Sequence, residues 1–116
     1  MEIIILRAPM ARRDLIKIAQ EGFGDFVKAV VDVEQEIMAI GGQLHADAEA
    51  VMREQSGGER GNLWGINLYP EKSEDERVEF DSMINLKPAS GNRSRGVDDP
   101  ALREKIKRII TALITE

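Results

Sequence analysis

The stretch from residue 26 to residue 40 most constrains what this chain can become. Val27, Ala29, Val31 and Val33 fall on one side of an extended segment, and Phe26, Lys28, Val30 and Asp32 on the other. Three polar residues, Glu34-Gln35-Glu36, interrupt it. Ile37-Met38-Ala39-Ile40 then resumes. Two β-branched runs joined by so short a break read as a hairpin. A hairpin at the centre of a 116-residue chain commits it to a largely antiparallel sheet, because parallel neighbours need a long crossover.

The flanking segments extend that sheet. Ile3 to Leu6 reads as a short buried strand. Pro9 permits a helix to start, and Leu15, Ile18 and Ala19 make its apolar stripe before Gly22 and Gly24 stop it. Residues 48–55 have helical composition, with Asp47 placed as N-cap. Residues 63–69 read as strand up to Pro70. Residues 78–87 alternate cleanly, Val78, Phe80, Ser82, Ile84 and Leu86 against Glu79, Asp81, Met83, Asn85 and Lys87. Those two segments predict a second hairpin, with Ile-Asn-Leu-x-Pro closing each strand. Asp99 and Pro100 mark the start of a last helix, whose apolar face is Leu102, Ile106, Ile109, Ile110, Leu113 and Ile114. The order β-α-β-β-α-β-β-α predicts a single α+β domain over residues 1–116. Its sheet has about five strands, and two or three helices pack mainly on one face.

Composition narrows the chemistry. The absence of cysteine excludes disulfides, thiolate metal sites and cysteine nucleophiles. A single histidine means that any Ser-His-Asp arrangement must use His45. A net charge of −5 argues against a general nucleic-acid binder. The apolar run after Glu2 is too short for a signal core or a membrane span, so the expected location is the cytoplasm, with no membrane partner. Charge is uneven along the chain: residues 1–87 carry a net −7, residues 88–116 a net +2.

Five segments together resemble a known family. They are Val30-Val31-Asp32-Val33, residues 41–47 (Gly-Gly-Gln-Leu-His-Ala-Asp), residues 63–70 (Leu-Trp-Gly-Ile-Asn-Leu-Tyr-Pro), Ser82-Met83-Ile84-Asn85-Leu86 and Gly91-Asn92-Arg93-Ser94. The chain is similar to a small uncharacterised bacterial family, domain of unknown function 5674. The resemblance covers nearly the whole chain and implies a compact stand-alone domain. It implies no activity, ligand or cofactor.

The polar residues are therefore weighed on their own chemistry. His45, Asp47 and Glu49 would share one face of an extended segment and converge on a divalent metal; as parts of a helix start they are capping residues instead. Three ligands within five residues rarely close a coordination sphere, so no metal is assigned. The loop Gly91-Asn92-Arg93-Ser94-Arg95-Gly96 offers an anion two forked arginine donors beside the neutral donors Asn92 and Ser94. Asp98 and Asp99 compete for those arginines. Asn67 and Asn85 are unusual strand residues that either pin loops or contact a ligand. Trp64 is either a stacking platform or core. Asp81, on the strand face of Asn85, is a candidate general base.

Two functions of different class follow. The first is a binding module for an anionic small molecule or an acidic protein partner. Its pocket lies where loops 41–47 and 89–97 meet Asn67 and Asn85, with Asn92, Arg93, Ser94, Arg95 and Trp64 contributing. The second is a small hydrolase or other acid–base enzyme, with His45 as base or metal ligand and Asp47 or Asp81 assisting. A sheet edge or the last helix would also serve a homodimer.

Overall fold

The computed structural model describes residues 2–116. Strand β1 (Ile3–Leu6) leads into a two-residue strand β2 (Met10–Ala11) and helix α1 (Arg12–Glu21). The central hairpin is β3 (Val27–Asp32) and β4 (Ile37–Gly41), followed by helix α2 (His45–Ser56) and strand β5 (Leu63–Leu68). The chain ends with β6 (Val78–Glu79), helix α3 (Pro100–Leu113) and β7 (Ile114–Thr115). The main sheet runs β1-β4-β3-β5-β6, and every neighbouring pair is antiparallel.

The central hairpin forms as its alternation predicts, and Asp32 builds its turn. The carboxylate accepts the backbone N–H groups of Glu34 at 2.9 Å and Gln35 at 3.0 Å, which turns the chain within three residues. Glu36 takes a left-handed φ of 58° to complete it.

Register then sorts the side chains. One face of the sheet carries Val27, Ala29, Val31, Met38, Ile40, Trp64, Ile66 and Leu68. It buries them against Leu15 of α1 and the Ile106, Ile109, Ile110 and Leu113 stripe of α3. The helices thus lie mainly on one face, as expected. The third, α2, takes the opposite face, where Ala48 and Met52 close over Val30, Ile37, Ala39 and Leu63. Lys28, Asn67 and Glu79 share that second face but lie outside its apolar cluster.

Three local expectations are corrected. Helix α1 begins at Arg12, not beside Pro9, because Met10 and Ala11 pair in parallel with Ile114 and Thr115. That pairing is reinforced by the Arg12 guanidinium, which reaches Glu116 at 2.6 Å and the Pro70 carbonyl at 2.8 Å. Helix α2 begins at His45, so Asp47 lies in its first turn rather than at its cap. It still faces the positive helix end, where a carboxylate is favoured.

The third correction is the largest. The segment 78–87 pairs with β5 only at Val78 and Glu79 and then leaves the ladder. Met83–Asn85 form a single 3-10 turn instead. The reason is a side chain that takes over the pairing. The Asn85 amide accepts the Gly65 N–H at 2.8 Å and donates to the Gly65 carbonyl at 3.0 Å. It thereby makes both bonds that a strand backbone would have made. Gly65 permits the approach: a Cβ there would lie 2.5 Å from the Ser82 hydroxyl. The Ile-Asn-Leu-x-Pro echo therefore ends a strand at Asn67 and forms a turn at Asn85.

Candidate ligand-binding face

Across the second face, three residues form one row. Lys28 on β3 is the register partner of Asn67 on β5, which in turn is the partner of Glu79 on β6. A cation, an amide and a carboxylate thus stand side by side across three strands. Asn67 is 6% exposed, and its Nδ2 donates to Glu79 Oε1 at 2.8 Å. Its Oδ1 is buried and has no hydrogen-bond partner among the described residues. An unpaired buried acceptor costs about 1–3 kcal/mol, so a side chain kept this way calls for a reason.

Aromatic rings border the row. Phe23 and Phe26 stack at 4.7 Å, and Phe26 meets Tyr69 at 5.3 Å. The Lys28 ammonium lies 5.5 Å from the Phe23 ring and 5.8 Å from the Phe26 ring. It has no carboxylate within ion-pair distance among the described residues. The Tyr69 hydroxyl leans toward Glu79 Oε1 at 3.4 Å. Burial, and then the negative charge of Glu79, raises its pKa above the usual phenol range.

His45, the first residue of α2, sits beside this row. It is buried, and its Nε2 lies 2.8 Å from the Ile66 carbonyl. A carbonyl only accepts, so Nε2 carries the proton and Nδ1 is left as an acceptor. Burial lowers the imidazole pKa below its ordinary value of 6.5. The Ile66 bond opposes that shift, as does Asp81, while Lys28 and Arg95 add to it. The ring is therefore neutral near pH 7. The unfolded chain takes up a proton below about pH 6.5 that the folded ring refuses, so stability falls as the pH drops through that region. Urea titrations at pH 7.5 and 5.5 should show a loss that His45→Gln reduces, since glutamine keeps a donor for Ile66 without titrating. An equal loss in both proteins would remove His45 as the cause.

The 91–96 loop is organised from within. Asn92 is buried. Its amide nitrogen donates to the carbonyls of Asn85 at 2.8 Å and Gly96 at 2.9 Å, and its Oδ1 accepts the Asp98 N–H at 2.8 Å. Asp98 occupies the loop's donor set: it accepts the Ser94 hydroxyl and, at 3.0 Å, the Arg93 N–H. Those bonds, the Ser94 one first, hold its carboxyl below the usual range. Asn92 and Ser94 are thus engaged by the chain itself. The Arg93 side chain is exposed and makes no ion pair among the described residues. Arg95 bonds Asp81 at 2.8 Å in an exposed pair, and the charges of both act weakly on His45.

The structure therefore brings His45, Asn67, Asp81 and Arg95 to one end of one face. It leaves Trp64 elsewhere, in the core of the opposite face, 5% exposed. Its ring borders a shallow cleft of about 350 Å3 with Asn92, Asp98 and Leu102. Asn85 is fully buried and serves the fold by bonding Gly65 and, at 2.8 Å, the Arg95 carbonyl. His45 and Glu49 are buried on one side of α2, whereas Asp47 is exposed, so helical geometry separates the three groups that an extended segment would have gathered. No set of three His, Asp or Glu among the described residues is placed to hold a metal ion. A larger cleft, about 620 Å3, lies between residues 74–78 and α3 and is lined by charges of both signs.

Sequence reasoning missed Lys28, Glu79 and the aromatic border. The available signal was a lysine in the middle of a central strand, on a face that also carries Val30 and Asp32.

An antiparallel sheet covered by two helices on one side and by a single helix on the other defines an α+β domain. Over residues 4–113 the chain matches the model of a family described as protein of unknown function (DUF5674), and it belongs to that family. No curated protein and no solved structure matches it. No helix among the described residues is long and apolar enough to cross a membrane.

Proposed function

We propose that this domain is a binding module that takes an anionic small molecule, or an acidic group of a partner protein, on the face between Lys28 and Asn67. The observation that carries the reading is Lys28, a half-buried cation on a central strand with no carboxylate within ion-pair distance among the described residues. Lys28 would hold the anion. Arg95, paired with Asp81, stands at the margin, and Arg93 on the neighbouring loop is an exposed cation with no ion pair among the described residues. The ligand thus meets the face between loops 41–47 and 89–97, rather than inside the 91–96 loop, where Asp98 already sits.

The acid–base reading has less support. His45 has a neutral imidazole with an available acceptor, as a general base needs. Asp81, however, is bonded to Arg95 rather than to the imidazole, so it does not orient His45 as a carboxylate partner would.

Thermal-shift measurements with acetate, phosphate and dicarboxylates test the binding reading. A ligand that binds only the folded chain raises the midpoint by mass action. The expected result is a rise that Lys28→Met abolishes and Arg93→Ala reduces little. A rise lost with Arg93→Ala but kept in Lys28→Met would move the site to the loop. A rise unaffected by either variant would remove both.

A further inference from the structure

We infer that the free edge of β1 is a contact between two copies of this chain, which pair antiparallel about a two-fold axis at Ile4 and join their sheets into one. The surface is separate from the Lys28 face and does not depend on what binds there.

β1 closes one side of the sheet, with β4 as its only strand neighbour. The other side is closed by β6, which has two residues, one of them the charged Glu79. Exposed edges are ordinarily blunted by a charge, a proline or a bulge, and Ile3-Ile4-Ile5-Leu6 carries none of these. Ile4 is 36% exposed.

Ladder alternation fixes which backbone groups are free. The Val33 N–H donates to the Asn62 carbonyl at 3.0 Å in line with the β3–β5 register, so odd-numbered residues of β3 face β5 and even-numbered ones face β4. Val30 and Asp32 pair with Ala39 and Ile37, so Met38 and Ile40 face β1, where they meet Leu6 and Ile4. The N–H and carbonyl groups of Ile3 and Ile5 therefore point outward. No backbone hydrogen bond from elsewhere among the described residues reaches them.

These groups match a second copy of themselves. A two-fold axis through Ile4 sets Ile3 of each copy opposite Ile5 of the other, so every free group of both strands finds a partner. The two Ile4 side chains then meet at the closer, non-hydrogen-bonded position of the ladder and cover each other. An axis at Ile5 would need Arg7, which lies beyond the end of β1 in a bend, to complete the ladder. An axis between two residues would oppose side chains from opposite faces, which the pleat forbids. Charge agrees with the antiparallel sense. It brings the Glu2 end of each strand to the Arg7 end of the other, and these exposed residues make no ion pair among the described residues. A parallel copy would set like charges together. The edge is short, so the contact belongs to the weak class, with a dissociation constant expected on the order of 100 µM.

Sedimentation and NMR of the intact chain from about 10 µM to about 1 mM bracket that constant. The sedimentation coefficient is expected to rise toward that of a dimer. The Ile3 and Ile5 amide resonances should shift with concentration more than those of Ile4 and Leu6. Ile3→Pro removes an outward N–H at the first residue of the strand, leaves the β1–β4 bonds in place and should weaken the dimer about tenfold. Glu2→Arg should weaken it by a similar factor, and combining it with Arg7→Glu should restore it. Both charges lie outside the strand, so these variants carry the test even where the proline variant does not fold.

A chain that stays monomeric at the highest concentration overturns the inference. So does a dimer that neither Ile3→Pro nor Glu2→Arg weakens, because its contact then lies elsewhere. A loss from Glu2→Arg that the double exchange does not restore overturns it as well, because the strands then do not run antiparallel.

Discussion

Replacing Asn85 by leucine should destabilise the chain by about 3 kcal/mol, among the largest effects expected of any polar substitution here. Leucine matches asparagine in side-chain heavy atoms but is bulkier, so at this fully buried position the loss combines missing hydrogen bonds with some overpacking. It would leave the buried Gly65 N–H and carbonyl without partners and release the Arg95 carbonyl. Each buried group left unsatisfied costs about 1–3 kcal/mol. For a domain of this size, total stability is roughly 5–15 kcal/mol. The melting midpoint should therefore fall by about 12 °C, at about 4 °C per kcal/mol. A loss below about 1 kcal/mol in urea unfolding would mean that water or a shifted backbone replaces the amide. The side chain would then not be a substitute rung of the ladder.

Gly65→Ala attacks the same junction from the other side. The added Cβ would lie 2.5 Å from Ser82 Oγ, 2.6 Å from Ser82 Cβ and 3.1 Å from Ile84 Cγ1. No real Cβ tolerates the first two separations, and Ser82 is itself buried, so β5 or the segment after β6 must move. Overpacking of this kind costs about 1–3 kcal/mol. The second site settles the cause. Ser82→Gly removes both close atoms and should recover most of the loss in the alanine background. Ser82→Ala keeps the Cβ and should recover little. Additive effects in the double variants would show that the two residues do not meet in the folded chain.

How far the sequence could be read depended on where the information was kept. The central hairpin was legible because alternation, a polar break and β-branched residues agreed with one another. The start of α3 was legible because Asp99 caps the Ala101 N–H at 2.9 Å, as the Asp-Pro pair predicts. The segment 78–87 was misread because its alternation is as clean as that of a true strand. What displaced it is a tertiary event: Gly65 leaves room, and Asn85 fills the hydrogen-bonding positions. Neither residue reveals the other at a distance of twenty positions. From the sequence, Asn67 reads either as a residue that pins loops or as a ligand contact, and His45 either as part of a helix start or as a base or metal ligand. That Asn67 stands beside Lys28 and Glu79 follows only from the register of three strands, and that His45 reaches the Ile66 carbonyl only from the docking of α2. The internal bonding of the arginine loop was hidden from the sequence for the same reason. Spacing alone makes Asp98 a partner for the arginine side chains. It bonds the Ser94 hydroxyl and the Arg93 backbone N–H instead.

The small parallel pair of β2 and β7 bears on the order of folding events. It joins Met10 to Ile114, so nearly the whole chain lies between the two partners. Closing so long a loop is entropically unfavourable until the hairpin sheet and α3 have brought the ends together. The pair therefore belongs to the final stage of assembly. Weakening it at Arg12 or Glu116 would act as a loosened latch does: the chain would open faster while its rate of closing stayed nearly the same.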